Sequence, residues 1–303
     1  MDNSTGLELS GINGSNPLGF LAALGVLRSL ALANPEWRPK LSWVAKDAWH
    51  PMLHFQDVIS QDKLLANLND FLSEAPGKEA LELGDNIKFT PAIFHRAATE
   101  AFAVAKLENQ EALRFYAAFG SEAAEKDGLI KDTDLRTMSG AGHQHFLKFM
   151  RDLIEITEYE HLRKALFLPW SRDDPQPSLR WDQADDRRYA LRWREPSSDP
   201  IRTVRGANRL AIEALPLFTT VAQGSQLNTV GFKGSGSKTT YWTWPIWELP
   251  SDLDTVRSLL SLKSLQTDSP DRRNLQAMGI GEIYRSQRLT IGKYRNFTPA
   301  MPV

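Results

Sequence analysis

Apolar residues crowd one early segment of the chain. The run PLGFLAALGVLRSLALA, Pro17 to Ala33, sets Leu18, Leu21, Leu24, Leu27 and Leu30 on one helical face, while Phe20, Ala22, Ala23 and Val26 leave little polar surface elsewhere. A helix that is apolar all round is buried on most sides. Ser15 or Asn16 supplies its cap, Pro17 fits the first turn, and Asn34-Pro35 stops it. Gly19, Ala22, Ala23 and Gly25 permit close neighbours. The preceding LELSGINGSN predicts a short strand and a Gly/Asn/Ser turn. Such an entry can bind an anion at the helix N-terminus, but a tight turn is the simpler reading.

From residue 56 to 165 the spacing stays helical. DKLLANLNDFLSEA, ATEAFAVAKLENQEALRFYAAFGSEAAE and GHQHFLKFMRDLIEITEYEHLRKALF carry the period, with Pro76-Gly77 and Lys126 to Gly128 as punctuation. At Pro169 the texture changes. Pro169, Pro175, Pro177, Pro196 and Pro200 bracket strand-like pieces rich in Trp, Tyr and Thr. The pattern predicts an α+β protein with a helix-rich part over 1–168 and a strand-containing part over 169–303. No internal repeat or low-complexity tract interrupts it.

Composition narrows the chemistry. With 42% apolar and 24% charged residues among 303, the chain is an ordinary globular sequence. It has no cysteine, which removes disulfides, thiol catalysis and cysteine-ligated zinc. Asp2 and Glu8 stand where a signal peptide is basic, and Arg28 interrupts an apolar run already short of the roughly 20 residues that span a bilayer. A cytoplasmic protein without membrane association is expected. The net charge of −1 is unevenly spread: from Ile201 onward there are 13 Lys/Arg and 7 Asp/Glu, +6, leaving −7 for residues 1–200. A chain so polarised can present one basic face.

One stretch stands out. SLRWDQADDRRYALRW, residues 178–193, holds four arginines, three aspartates, two tryptophans and a tyrosine. As strands of a hairpin turning around Gln183 to Arg187, it places Leu179, Trp181, Tyr189, Leu191 and Trp193 on one face. Arg180, Asp182, Arg188, Arg192 and Arg194 then fall on the other. Two readings follow. Asp182, Asp185 and Asp186 pair with Arg180, Arg187 and Arg188 to tie a turn together, which bare spacing favours. Alternatively Arg188, Arg192 and Arg194 face a phosphate backbone while the aspartates hold them in place.

GFKGSGSKTTYWTWPIW imitates a phosphate loop but fails its register, because Ser237 separates Gly236 from Lys238. What remains is a loop with Lys233 and Lys238 on its surface, entering a strand whose Trp242 and Trp244 are expected in the core. The tail YRSQRLTIGKYRNFTPA adds Arg285, Arg288, Lys293 and Arg295, a basic texture suited to RNA, DNA or an acidic partner. His143 and His145 lie two apart in a helical context, and Pro51 argues against a helix through His50 and His54, so neither pair predicts a metal site.

The N-terminal NPLGFLAALGVLRSLA resembles the opening of proteins encoded with type I CRISPR systems, chiefly the large-subunit families of the type I-G (formerly I-U) group. The matching positions are Pro17, Leu18, Phe20, Leu21, Ala23, Leu24, Gly25 and Leu27. SLRWDQADDRRYALRW, GANRLAIEALPLF and GKYRNFTPA are similar to segments of small proteins of such loci, some described as extensions of the helicase-nuclease. The close likeness covers about 20 residues, and the group's large subunits are longer than this chain. The resemblance implies a non-catalytic, nucleic-acid-binding subunit of an RNA-guided complex. Such a subunit contacts guide RNA and target DNA, sits among the other effector subunits and helps recruit the helicase-nuclease.

On this reading Arg180, Arg187, Arg188, Arg192 and Arg194 are the first candidates for backbone contact. Lys233 and Lys238 are candidates for displaced strand or duplex, with Lys293 and Arg295 behind them; no catalytic residue, metal or cofactor is expected. Two other readings stay open. One is a metal-dependent nuclease of a phage-defence locus using Asp182, Asp185 and Asp186. The other is a structural adaptor between proteins.

Overall fold

A computed structural model of the chain describes residues 6–105, 110–138, 144–185, 202–236, 238–291 and 294–303. It is an α+β fold with helices concentrated in the N-terminal half and the largest sheet in the C-terminal half. Strand β1 (Gly6–Glu8) leads through a turn into helix α1 (Pro17–Ala33), and β2 (Lys40–Ala45) and β3 (Trp49–His54) complete an antiparallel sheet in the order β1-β3-β2. Helices α2 (Gln61–Glu74), α3 (Lys78–Glu82), α4 (Pro91–Ala105) and α5 (Glu111–Phe119) follow. The hairpin of β4 (Gly120–Lys126) and β5 (Leu129–Asp132) then precedes α6 (Phe146–Ile156) and α7 (Tyr159–Phe167).

Beyond these come the short pair β6 (Asp174–Pro175) and β7 (Arg202–Thr203), helix α8 (Arg205–Ala214), and the hairpin β8 (Thr220–Gln223) and β9 (Gln226–Thr229). The last sheet contains β10 (Phe232–Lys233), β11 (Thr240–Trp247), β12 (Ile280–Ile291) and β13 (Tyr294–Phe297), with β14 (Met301–Pro302) also on β12. Helices α9 (Leu253–Leu260) and α10 (Arg272–Ala277) lie between β11 and β12 in sequence.

Helix α1 is the axle of the molecule. Asn16 caps it by accepting from the backbone N–H groups of Leu18 and Gly19, Pro17 fills its first turn, and every residue from Pro17 to Leu30 is buried. Gly25 lets α8 cross at van der Waals distance: a Cβ there would lie 1.8 Å from the carbonyl oxygen of Leu210. On another side Phe20 meets Trp43, Trp244, Trp242 and Trp247 at ring-centroid distances of 5.8, 5.7, 6.1 and 6.3 Å. Trp244 and Trp247 satisfy their indole N–H groups on the carbonyls of Gly14 and Leu41. Trp242 and Trp244 are therefore core residues, as their strand pattern predicts. One apolar cluster draws on residues from Leu9 to Phe297, so both sides of position 168 build the same core.

The one charge in the apolar helix has a specific use. Arg28 is fully buried and bridges Glu213 of α8 and Glu111 of α5, while Arg209 donates to the second oxygen of Glu213 at 2.8 Å and to the carbonyl of Leu72 at 2.7 Å. Charges so placed are tolerated only when paired and hydrogen-bonded.

Two sequence expectations are corrected, and one expected helical stretch divides in two. The helical period over residues 98–125 ends at Gly120, where the chain turns into β4; a Cβ at Gly120 would lie 2.5 Å from the carbonyl oxygen of Lys131. The helical stretch after residue 143 is two helices, separated at Thr157 and Glu158, because Glu158 takes an extended conformation and caps α7 with His161 in a reciprocal box. The first limb of the expected arginine-aspartate hairpin is not a strand. Arg180 sits at φ +57° and Gln183–Asp185 forms a single 3-10 turn, although Leu179 and Trp181 are buried as predicted.

Candidate nucleic-acid interface

The candidate residues fall into three groups. Arg187, Arg188, Arg192, Arg194 and Lys293 lie outside the described residues. Arg180 is drawn inward and is 7% exposed. Its neighbours are fixed on both sides, the Leu179 N–H donating to Asn208 of α8 and the Trp181 indole to the carbonyl of Leu135. Lys233, Lys238 and Arg295 remain: Arg295 lines a cleft, whereas Lys233 lines a separate pocket with Asp268 and Arg285 and Lys238 is an exposed loop residue that lines neither.

Asp182 also has an internal role. Its carboxylate accepts from Arg172 at 2.8 Å, from the Asn16 side chain at 2.8 Å and from the Ala184 backbone N–H at 3.0 Å. The expected arginine partner was Arg180; the observed one is Arg172, ten residues upstream. Because Asn16 caps α1, the chain itself places a carboxylate beside that helix N-terminus, where negative charge is favoured. The side chain of Asp185 and the whole of Asp186 lie outside the described set.

The cleft is built by β-structure. Strands β12 and β13 pair antiparallel with Arg295 opposite Thr290, which sets Arg295 diagonal to Arg288 on the same face. The β4–β5 hairpin turns at Asp127 and Gly128, both at positive φ (55° and 77°), the conformation of a tight two-residue hairpin turn. It delivers Asp132 and, just beyond the strand, Asp134 and Arg136 to the same place.

Arg288 holds Asp134 at 2.9 Å and its backbone carbonyl at 2.9 Å; Arg136 holds Asp132 at 2.5 Å. Arg295 donates to the Arg136 carbonyl at 3.2 Å and stands 4.0 Å from Asp132. The Nε atoms of Arg136 and Arg288 are buried without a hydrogen-bond partner among the described residues.

Three guanidiniums thus share two carboxylates in a largely desolvated place. Burial dominates the proton affinities of Arg295 and Asp134. Burial, then the neighbouring Arg136, pulls Arg295 well below the ordinary arginine value, to about 10. Burial pushes the Asp134 carboxyl up, against the opposing pull of Arg288. The surplus positive charge opens onto a cleft of about 400 Å³ that Lys88, Lys126 and Lys131 also line, against one further carboxylate, Asp127.

Gly234 and Ser235 of the β10–β11 loop line the same cleft. Gly234 has φ +90°, and a Cβ there would lie 1.8 Å from the Thr239 carbonyl, so the tight loop requires glycine. Lys233 is exposed and paired with Asp268 at 2.7 Å; Lys238 is exposed, and its carbonyl accepts from the Gln287 side chain. The loop joins two antiparallel strands with no helix after it, which is not the setting of a nucleotide-binding phosphate loop.

Sequence reasoning missed Arg136, Asp132, Asp134 and the three lysines of the cleft. The available signals were the Asp127-Gly128 turn and the DTDLR alternation that follows it. What they could not give is the partner, since Arg288 is more than a hundred residues away. No family model, curated protein or solved structure matches this chain.

Proposed function

We propose that this chain is a non-catalytic, nucleic-acid-binding subunit of a type I CRISPR RNA-guided surveillance complex, large-subunit-like in kind. It contacts guide RNA or target DNA through the cleft around Arg288 and Arg295. The observation that carries the nucleic-acid part is the three-to-two excess of guanidiniums over carboxylates in a buried cluster that opens onto a lysine-lined cleft. A phosphate entering there supplies the missing negative charge, and guanidinium groups match its geometry. Support for the CRISPR part is the likeness of the α1 sequence to those subunits. In such a complex base pairing reads sequence and the protein supplies shape and charge. The other effector subunits and the helicase-nuclease are its proposed partners.

The adaptor reading keeps one specific observation on its side: Asp182 is consumed by Arg172 and Asn16, so this part of the arginine-aspartate stretch braces the fold. The same contacts tie both oxygens of Asp182 into the fold, which disfavours it as a nuclease metal ligand.

Co-purification tests the proposal. The tagged chain is co-expressed with a type I-G effector gene set and guide RNA, then purified at moderate salt. Guide RNA of uniform length should copurify with the wild type and be reduced in Arg295→Met with Lys131→Ser. Recovery of the effector subunits with identical RNA from both proteins would leave an adaptor; recovery of neither subunits nor RNA would remove the CRISPR assignment.

A further inference from the structure

A second surface, of opposite sign, lies on the helical half. We infer that the groove between α3, α4 and α5 is a docking site for a basic amphipathic segment of a partner protein. The groove has a volume of about 390 Å³, within the range of about 300–1,000 Å³ typical of binding clefts. Its apolar surface comes from Leu83, Ala97, Ala101, Val104 and Ala112. The alanines leave a recess that a large apolar side chain fills. Along α4, Ile93, Ala97, Ala101 and Val104 follow helical spacing in one stripe, and its ends stay in solvent, with Ile93 40% and Val104 58% exposed.

Charge defines the occupant. Glu79 and Glu82 of α3 and Glu100 of α4 line the groove, and none of the three is ion-paired among the described residues. Some exposed carboxylates elsewhere are paired locally, Glu160 with Arg163 and Asp254 with Arg257; what distinguishes these three is that they flank an apolar recess together. Tyr116 also lines the groove; it is 6% exposed, and its hydroxyl has no hydrogen-bond partner among the described residues. Burial and the nearby Glu100 and Glu79 hold its proton more firmly than usual, which keeps the hydroxyl a donor.

An apolar recess flanked by three unneutralised carboxylates repels a polyanion and attracts a segment that alternates apolar anchors with Lys or Arg. A helix laid in a groove presents such anchors at i, i+3, i+4 and i+7. This surface is separate from the phosphate cleft and does not depend on it. A subunit carrying both would hold nucleic acid with its basic face and protein with its acidic one.

Fluorescence anisotropy with a labelled Leu/Lys peptide of about 18 residues, patterned as an amphipathic helix, tests the inference on the full chain. A Leu/Glu peptide of the same pattern is the control. The Leu/Lys peptide should bind in the micromolar range at physiological salt and the Leu/Glu peptide should not. Glu79→Gln/Glu82→Gln/Glu100→Gln and, separately, Ala101→Trp should each weaken binding about tenfold. The glutamine variant changes only exposed residues and retains the fold, so it decides the question even if the tryptophan variant does not fold. Equal binding of the two peptides, unchanged affinity in the glutamine variant, or no binding below roughly 100 µM overturns the inference.

Discussion

Arg295 is held at an electrostatic cost. Burial holds its folded value at about 10, below that of a free arginine, so the folded chain binds that proton less tightly than the unfolded chain. Such a group contributes stability above its free value and loses it as pH falls through about 10; at neutral pH the charged side chain therefore opposes folding. Asp134 follows the mirrored rule. Its raised value favours the fold below 3.8, and that contribution is lost as pH rises through the folded value. Arg295→Met is accordingly expected to leave stability unchanged or raise it by up to about 2 kcal/mol, measured by urea denaturation at pH 7, while weakening nucleic-acid binding. A large loss of stability would mean that Arg295 is a structural residue. The Arg28 network gives the opposite expectation. Glu213 is the shared partner of Arg28 and Arg209, so Glu213→Gln leaves buried positive charge uncompensated and should cost about 3–5 kcal/mol.

Elements whose cues are local were legible in the sequence. Helix α1 is the clearest: Asn16, Pro17 and Asn34 mark its ends, and its unbroken apolar surface announces burial. Its packing is also readable in part, because Gly25 permits the close crossing of α8. Gly25→Ala would press a methyl group into the Leu210 carbonyl, and a loss of about 3 kcal/mol or more is expected, visible as a lower Tm; an unchanged Tm would contradict that crossing. The β4 strand was not legible, since GSEAAEK has the composition of a helix and becomes a strand by pairing with β5 after Asp127-Gly128 reverses the chain. The site was legible only by its cations. Arg288 and Arg295 could be named from a basic tail, but the cluster depends on Asp132, Asp134 and Arg136 meeting β12 and β13 across a long sequence separation. Arg180 shows the converse: period-two alternation offered it as a surface residue, and a single left-handed residue turned it inward.

At the scale of the whole molecule, the charge polarity of the sequence acquires an address. The surplus of 13 Lys/Arg over 7 Asp/Glu after Ile201 supplies Arg288 and Arg295, but the cleft also recruits Lys88, Lys126 and Lys131 from the acidic half. The acidic half in turn sets three carboxylates, Glu79, Glu82 and Glu100, along the α3–α4–α5 groove. Among the described residues no helix is long and apolar enough to cross a membrane. The central claim is that the cleft holds phosphates, and counterion release measures that directly. Binding of labelled duplex DNA, single-stranded DNA and RNA should be titrated between about 50 and 200 mM salt, comparing the wild type with Arg295→Met/Lys131→Ser. The account predicts affinity that falls linearly on logarithmic axes for at least one of these, with a slope shallower by about one to two in the variant. Equal slope and equal affinity in both proteins, or no salt-sensitive binding to any of the three, would contradict it.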